Sequence, residues 1–380
     1  MGRTALLTVT VLTFLNYAAL LPVVPMWASS GGAGGLAVGS TTAVMMGATV
    51  VAQCAAPLIF KLFRLREMMV LGALLLGVPA PFYILSAQMW AISALTIIRG
   101  LGFALVVIAG ATLAADLART GRLSSSASLY GTAAALPNLV ALAGGPWAAQ
   151  AFGFGLVFWL SGGACLVGAG LSLMLPARAR GRFTLGSVRN VGRIATPIGL
   201  LLLTAAAFGA TTTFLPISGP STAEASVALL VASVMLIVGR LGAGVIGDRT
   251  RPGNLSLISA LLVAGGLALT SEALRGTPSV LLVAAAMIGA GFGASQNDTF
   301  VLTLHRLGPS RSGTASTLWN MAYDGGLGAG ALVLGWTLGN TGYVGAFLLM
   351  SIAIAAIATT TAGLHLRRRH RSATVLNPLN

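Results

Sequence analysis

The sequence predicts an all-α integral membrane protein with twelve transmembrane helices in two pseudo-symmetric six-helix bundles. Three observations predict it: a charge-poor composition, a succession of long apolar runs, and an internal repeat near half the chain length. Of 380 residues, 56% are hydrophobic and 8% charged, with a mean hydropathy of +0.91. Soluble domains carry roughly 25% charged residues. A helix crossing the hydrocarbon core needs about 20 apolar residues. Windows of that length fall at 5–27, 36–60, 67–86, 89–115, 125–149, 152–176, 194–217, 225–247, 254–273, 278–304, 313–338 and 341–364.

The loops between these spans fix an orientation. The formal net charge of +15 suggests nucleic acid if taken alone. Position argues against that partner. With Met1 in the cytoplasm, the inner segments hold Arg3, then Lys61, Arg64 and Arg66, then Arg119 and Arg122. Further along they hold Arg178, Arg180, Arg182, Arg189 and Arg193, then Arg249, Arg251, Arg306 and Arg311, and finally Arg367, Arg368, Arg369 and Arg371. These are 19 of the 22 basic residues; Arg275 lies outside, and Arg99 and Arg240 fall within spans. Such one-sidedness follows the positive-inside rule. It places both termini in the cytoplasm, with the basic tail as a topology signal that also suits anionic lipid. The first span lacks a small-residue cleavage site, so it is expected to be retained rather than removed as a signal peptide. Cys54 and Cys165 both sit in spans, so no disulfide framework is implied.

The domain organisation is a bundle over 1–176, a basic cytoplasmic linker over 177–193, a second bundle over 194–364 and a basic cytoplasmic tail over 365–380. The bundles echo each other. Gly100-Leu-Gly-Phe103 returns as Gly289-Ala-Gly-Phe292, an offset of 189. Ala127-Ser128 returns as Ala315-Ser316, an offset of 188, and Gly153-Phe154 as Gly342-Tyr343. The same register lays Lys61 on Arg249. A shared offset is the mark of duplication. Parallel six-span halves form a transporter architecture with the site between them near the midplane. The 50 glycines suit close helix packing in lipid, where apolar burial alone drives little association.

With these features on hand, the chain resembles the major facilitator superfamily over essentially its whole length. The strongest match is Gly239-Arg-Leu-Gly-Ala-Gly-Val-Ile-Gly-Asp-Arg249, similar to the family's loop signature through Gly244, Asp248 and Arg249. The resemblance implies that Asp248 and Arg249, with Gly244 and the neighbouring Arg240, form an inner gate closed while the transporter faces outward. Asp248 would accept hydrogen bonds from the start of the fifth span near Ser124 to Ser126. The first-half copy departs from the pattern: Phe60 stands where the family has its Asp, and Phe63 where it often has Gly. Apolar packing is expected there instead. Arg99-Gly-Leu-Gly-Phe-Ala104 is similar to a motif whose buried Arg is linked to proton coupling. Gly144-Gly145-Pro146 partly resembles the glycine-proline motif of antiporters, though Ala141, Ala149 and Gln150 replace its flanking glycines. Thr213-Phe-Leu-Pro216, Gly289-Ala-Gly-Phe-Gly-Ala294 and the run from Trp319 to Gly325 look like the branch of sugar, drug or metallophore efflux permeases. The resemblance therefore implies proton-coupled export of a small organic or amphipathic compound by alternating access. Uptake by a symporter or facilitator is the alternative. The expected location is the bacterial inner (plasma) membrane, with a small-molecule substrate, protons and lipid as partners and a monomer as the working unit.

Seven acidic residues serve this chain; Glu67, Asp116 and Asp248 fall at the inner surface and Glu224 and Glu272 at the outer one, and only Asp298 and Asp324 lie inside spans away from their ends. Asp324 falls near mid-membrane, about 17 Å along its helix from the inner end. Insertion scales make Asp about 2.5 to 3.5 kcal/mol unfavourable at a helix centre, so such residues usually face a cavity and mark an ion path. Asp324 is read either as a protonation site that biases the two halves or as a carboxyl tied to Asn320 one turn away. Asp298 is read either as functional, in the inner gate or paired with Arg240, or as a structural carboxyl. Arg99 and Arg240, one in each half, could make or break a carboxylate contact as the halves rock. The proton-coupling set is therefore Asp324, Arg99 and Asp298. The expected cavity lining is Asn16, Tyr17, Asn138, Gln296, Asn297, Trp319, Asn320 and Tyr323. Its aromatic faces suit a mid-sized amphipathic solute better than an inorganic ion. Met45-Met46 and Met68-Met69 are expected to be apolar filler.

A membrane enzyme or receptor is disfavoured by missing parts. His305, His365 and His370 lie at inner ends or in the tail without companion metal ligands, so no metal or cofactor is expected. The single lysine, Lys61, is in no phosphate-binding loop, and no ATP-binding module is expected. No nucleophile lies beside an evident base in a shared motif.

Overall fold

The computed structural model describes residues 2–118, 123–177, 191–219, 221–247, 249–250, 252–308 and 311–375. Among them there are helices and no strands. In hydrocarbon every backbone N–H and C=O must be bonded internally, and a helix does this within one segment. The helices are α1 (Gly2–Ser30), α2 (Gly35–Cys54), α3 (Ala56–Leu62), α4 (Leu65–Gly77), α5 (Met89–Asp116) and α6 (Leu123–Phe152). They continue as α7 (Phe154–Ser172), α8 (Val191–Ser218), α9 (Thr222–Gly247), α10 (Ser256–Arg275), α11 (Leu281–Leu307) and α12 (Ser312–Val375).

These elements map onto the expected spans with three local differences. The second span breaks at Ala55 into α2 and α3, with Pro57 in the first turn of the new helix. The third span is α4 followed by a 3-10 segment, Ala80–Leu85, because Pro79 and Pro81 interrupt the α-helical ladder. The last two spans are the arms of α12, joined at Gly342. Ten of the described helices are long and apolar enough to cross a membrane. Counting both arms of α12 and adding the 30-residue α6, whose Pro137, Asn138 and Pro146 dilute its apolar character, gives twelve crossings. The described part of the expected tail, 365–375, continues α12 as helix. Most of the expected linker lies outside the described residues.

The repeat in sequence is a repeat in packing. A Cβ on Gly100 would lie 2.4 Å from the Met45 carbonyl oxygen of α2, and one on Gly289 would lie 2.1 Å from the Ala232 oxygen of α9. A Cβ on Gly102 would lie 2.8 Å from the Gly72 oxygen of α4, and one on Gly291 would lie 2.7 Å from the Ser259 oxygen of α10. Only glycine lets these backbones approach so closely. The corners repeat too. Gly153 and Gly342 both carry positive φ, 89° and 63°, a conformation that costs glycine nothing.

The halves close on each other at the face away from the basic loops. Gly35 and Gly39 of α2 press on Gly335 and Ala331 of α12, where an added Cβ would sit 2.9 Å and 2.3 Å from carbonyl oxygens. Gly328 packs on Ala43 and Met46, and Thr42 shares a 2.9 Å hydrogen bond with Thr213 of α8. Met45, Met46, Met68 and Met69 are fully packed filler, as expected.

Candidate functional site

Between the halves lies a cavity of about 300 Å³. Its lining comes from the segments nearer the basic face: residues 14–21 of α1, 103–111 of α5 and 130–142 of α6 on one side. On the other side are Phe208 of α8, 233–240 of α9, Gln296 and Phe300 of α11, and 316–327 of α12. The packed glycines of α2 and α12 seal the opposite end, so the cavity opens toward the basic face.

Aromatic rings build both walls. Tyr17 and Phe103 stack with centroids 4.1 Å apart, and Phe14 meets Phe103 edge-on at 5.4 Å. Across from them Phe208, Phe292, Tyr323 and Trp319 stack in series at 4.8, 5.5 and 5.7 Å, and Phe300 closes the row against Trp319. Trp319 is oriented by donating its indole N–H to Thr299 Oγ1 at 3.2 Å. Such offset stacks make a stiff, flat apolar surface.

Polar groups interrupt the walls at few points. Asp324 is 4% exposed and accepts a 2.7 Å hydrogen bond at Oδ2 from Gln53 Nε2 of α2. That bond joins the two halves. Arg240 of α9 is exposed to the cavity, and its Nη1 donates to Gln296 Oε1 at 3.4 Å. Asn138 and Asn320 also line the cavity, with Asn320 Nδ2 turned back to the Ser316 carbonyl at 2.8 Å.

Over residues 6–331 the sequence matches the family described as the Major Facilitator Superfamily. The chain belongs to the Major Facilitator Superfamily. Solved superfamily structures share the fold at low identity. The nucleoside transporter NupG is 13% identical, with a TM-score of 0.76 over 96% of this chain and 98% of that one. The D-xylose-proton symporter is 15% identical, with a TM-score of 0.77 over 94% and 97%. A bacterial homolog of the human lysosomal transporter Spinster, in an inward-facing and occupied conformation, is 12% identical with a TM-score of 0.77 over 96% of each chain. Family and fold indicate a transporter rather than an enzyme.

Several expectations drawn from the sequence change on the structure. The carboxyl of Asp324 is tied to Gln53, not to Asn320. Asp298 does not pair with Arg240: it accepts from Gly253 N at 2.9 Å and from Ser256 Oγ, holding the turn between α9 and α10 against α11. Arg99 is 1% exposed and donates to Asn16 Oδ1 at 3.0 Å and to Tyr83 OH at 3.4 Å. It meets no carboxylate; the ion pairs among the described residues are Arg64–Glu67 and Arg275–Glu272. Asn16 is therefore a partner of Arg99 inside the first half rather than cavity lining, and Asn297 also stays off the cavity wall. Tyr17, Asn138, Gln296, Trp319, Asn320 and Tyr323 do line it.

In the expected gate, Asp248 lies outside the described residues. Arg249 is exposed in a turn closed by its N–H to the Ile246 oxygen at 3.0 Å. An added Cβ on Gly244 would have Asn297 Nδ2 at 3.9 Å as its nearest neighbour, so no close contact requires glycine there. Phe60, in the first-half copy, is buried in the core, while Phe63 is exposed. Ser126, one of the residues expected near Asp248, gives its hydroxyl to the Ala114 oxygen at 2.6 Å. Gln53 is the residue missed by sequence reasoning; a lone glutamine in an apolar span gave no local sign of a partner 271 positions away.

Proposed function

We propose that this protein is a proton-coupled transporter that exports a small organic, amphipathic compound by alternating access. The single observation that carries the reading is Asp324, a carboxylate in the cavity wall held across the halves by Gln53. Its bond to α2 belongs to the state open at the basic face. Protonation removes the charge that Gln53 Nε2 stabilises, weakens a charge-assisted bond, and so biases the halves toward the opposite opening. Arg99, sealed against Asn16 and Tyr83, acts in coupling by holding the first half's interior around α1 and α5. On this reading the basic face is the cytoplasmic one, supported by the positive-inside rule, and the state open there is the inward-facing one. Asp248, Arg249, Gly244 and Arg240 lie on the segment that would close that side. Asp298 supports the gate by fixing its turn. The working unit is a monomer in the bacterial inner membrane, with bundles over 1–176 and 194–364. Support for export comes from the partial Gly144-Gly145-Pro146 motif and the efflux-permease likeness of residues 319–325.

Purified protein in vesicles with an acidic lumen tests this, using a panel of radiolabelled aromatic acids, amines and sugars. Antiport lets protons out and drives a solute to accumulate inside. Symport depletes the lumen of solute, and a facilitator only equilibrates it. The expected result is accumulation that Asp324→Asn abolishes while solute exchange persists. Accumulation unchanged in Asp324→Asn would remove that residue from coupling, and depletion would replace export with uptake.

A further inference from the structure

Resting on the transporter reading of this cavity, we infer that its substrate is a flat aromatic monocarboxylate, with the carboxylate held by Arg240 and Gln296 and the ring between the Tyr17 and Trp319 walls. Among the described residues the cavity wall carries one cation, Arg240, and one anion, Asp324, but not equally. Asp324 is 4% exposed and already has a 2.7 Å partner. Arg240 faces the cavity with a single long bond of 3.4 Å, and among the described residues it has no carboxylate. Beside it Gln296 Nε2 is buried without a partner. A buried donor left empty is a standing cost, and a guanidinium fork next to it matches a planar carboxylate. A carboxylate laid against this pair satisfies both groups at once.

Charge and shape narrow the class. One arginine with Asp324 in the same wall favours a single negative charge over a phosphate dianion. The Tyr17–Phe103 and Trp319–Tyr323 stacks line the cavity from opposite halves. About 300 Å³ sits at the small end of ligand pockets, which suits one or two rings.

Three probes of one shape decide it: indole-3-acetate, indole-3-acetamide and tryptamine, titrated by calorimetry into the purified protein in nanodiscs. The expected order is acid first, the amide at least about 10-fold weaker, and the amine weakest. Arg240→Gln should weaken the acid about 10- to 100-fold and the amide by much less, and Arg240→Lys should restore part of the loss. Tryptamine binding tightest, acid and amide binding alike, or none of the three binding would overturn the proposal. An unchanged acid affinity in Arg240→Gln would do the same. Should that variant fold poorly, the three-probe series on the unaltered protein still decides. No gradient is involved, so failure here leaves proton coupling at Asp324 standing, and loss of coupling leaves this result standing.

Discussion

The two halves share their joints and differ in their chemistry. Gly100 and Gly102 dock α5 on α2 and α4; Gly289 and Gly291 dock α11 on α9 and α10 at the same offsets. The polar groups do not follow the repeat. At 189 residues beyond Arg99 stands Ile288, and at 188 before Asp324 stands Leu136. The first half buries its arginine in a closed network with Asn16 and Tyr83. The second half turns Arg240, Gln296 and Asp324 to the cavity. Duplication supplies a hinge geometry in which backbone contacts must be kept. Side chains off those backbone contacts are free to diverge.

The largest expected effect breaks the joints. Gly289→Val and Gly100→Val each force a Cβ into a carbonyl oxygen, costing about 1–3 kcal/mol or more. Both should collapse the yield of monodisperse protein on size exclusion. Gly131→Ala, with nothing within 4 Å, should not. A tolerated Gly289→Val beside an intolerant Gly100→Val would undo the symmetry of the scaffold.

Next come the two arginines. Arg99→Met empties a buried charged network and leaves Asn16 unpaired, at about 1.5–3 kcal/mol. Arg240→Met removes a side chain facing open space and should change stability by about 0.5 kcal/mol or less. Thermal unfolding in detergent checks both, and equal losses would erase the division between a sealed cation and a cavity-facing one.

Gln53→Met should release the bond that ties α2 to Asp324. Losing a hydrogen bond to a charged group shifts the balance between the two openings about 10-fold or more. In a variant with Cys54 and Cys165 replaced and Leu338→Cys added at the sealed face, an impermeant maleimide should label correspondingly faster. An unchanged rate would show that Gln53 is not a latch.

The smallest effect is Ser256→Ala. It removes one of two donors to Asp298 and costs about 1 kcal/mol. Limited proteolysis between α9 and α10 should quicken while transport persists.

How much of this was legible follows from the solvent. Spans were readable because hydrocarbon demands long apolar helices, and the duplication because Gly153 and Gly342 need the same unusual φ. Proline placed the breaks near Pro57 and Pro79 only once the backbone was seen. The site was harder. In a soluble helix the apolar face marks the core, but here lipid and core are both apolar, so periodicity does not say which face meets the cavity. Asn16 and Asn138 look alike in sequence; one binds Arg99 and the other lines the cavity. Gln53–Asp324 and Asp298–Gly253 join residues 271 and 45 positions apart, beyond the reach of any local pattern.

Rocking of the halves about the cavity is best tested by distance. Spin labels on Leu36→Cys and Asn340→Cys report the sealed face, and labels on Leu62→Cys and Gly313→Cys the basic face, in a background lacking Cys54 and Cys165. Double electron–electron resonance should find the first pair close and the second apart in the unaltered site. Asp324→Asn, which mimics the protonated carboxyl, should lengthen the first distance and shorten the second together. Distances that stay fixed, or that move in the same direction, would contradict alternating access governed by Asp324.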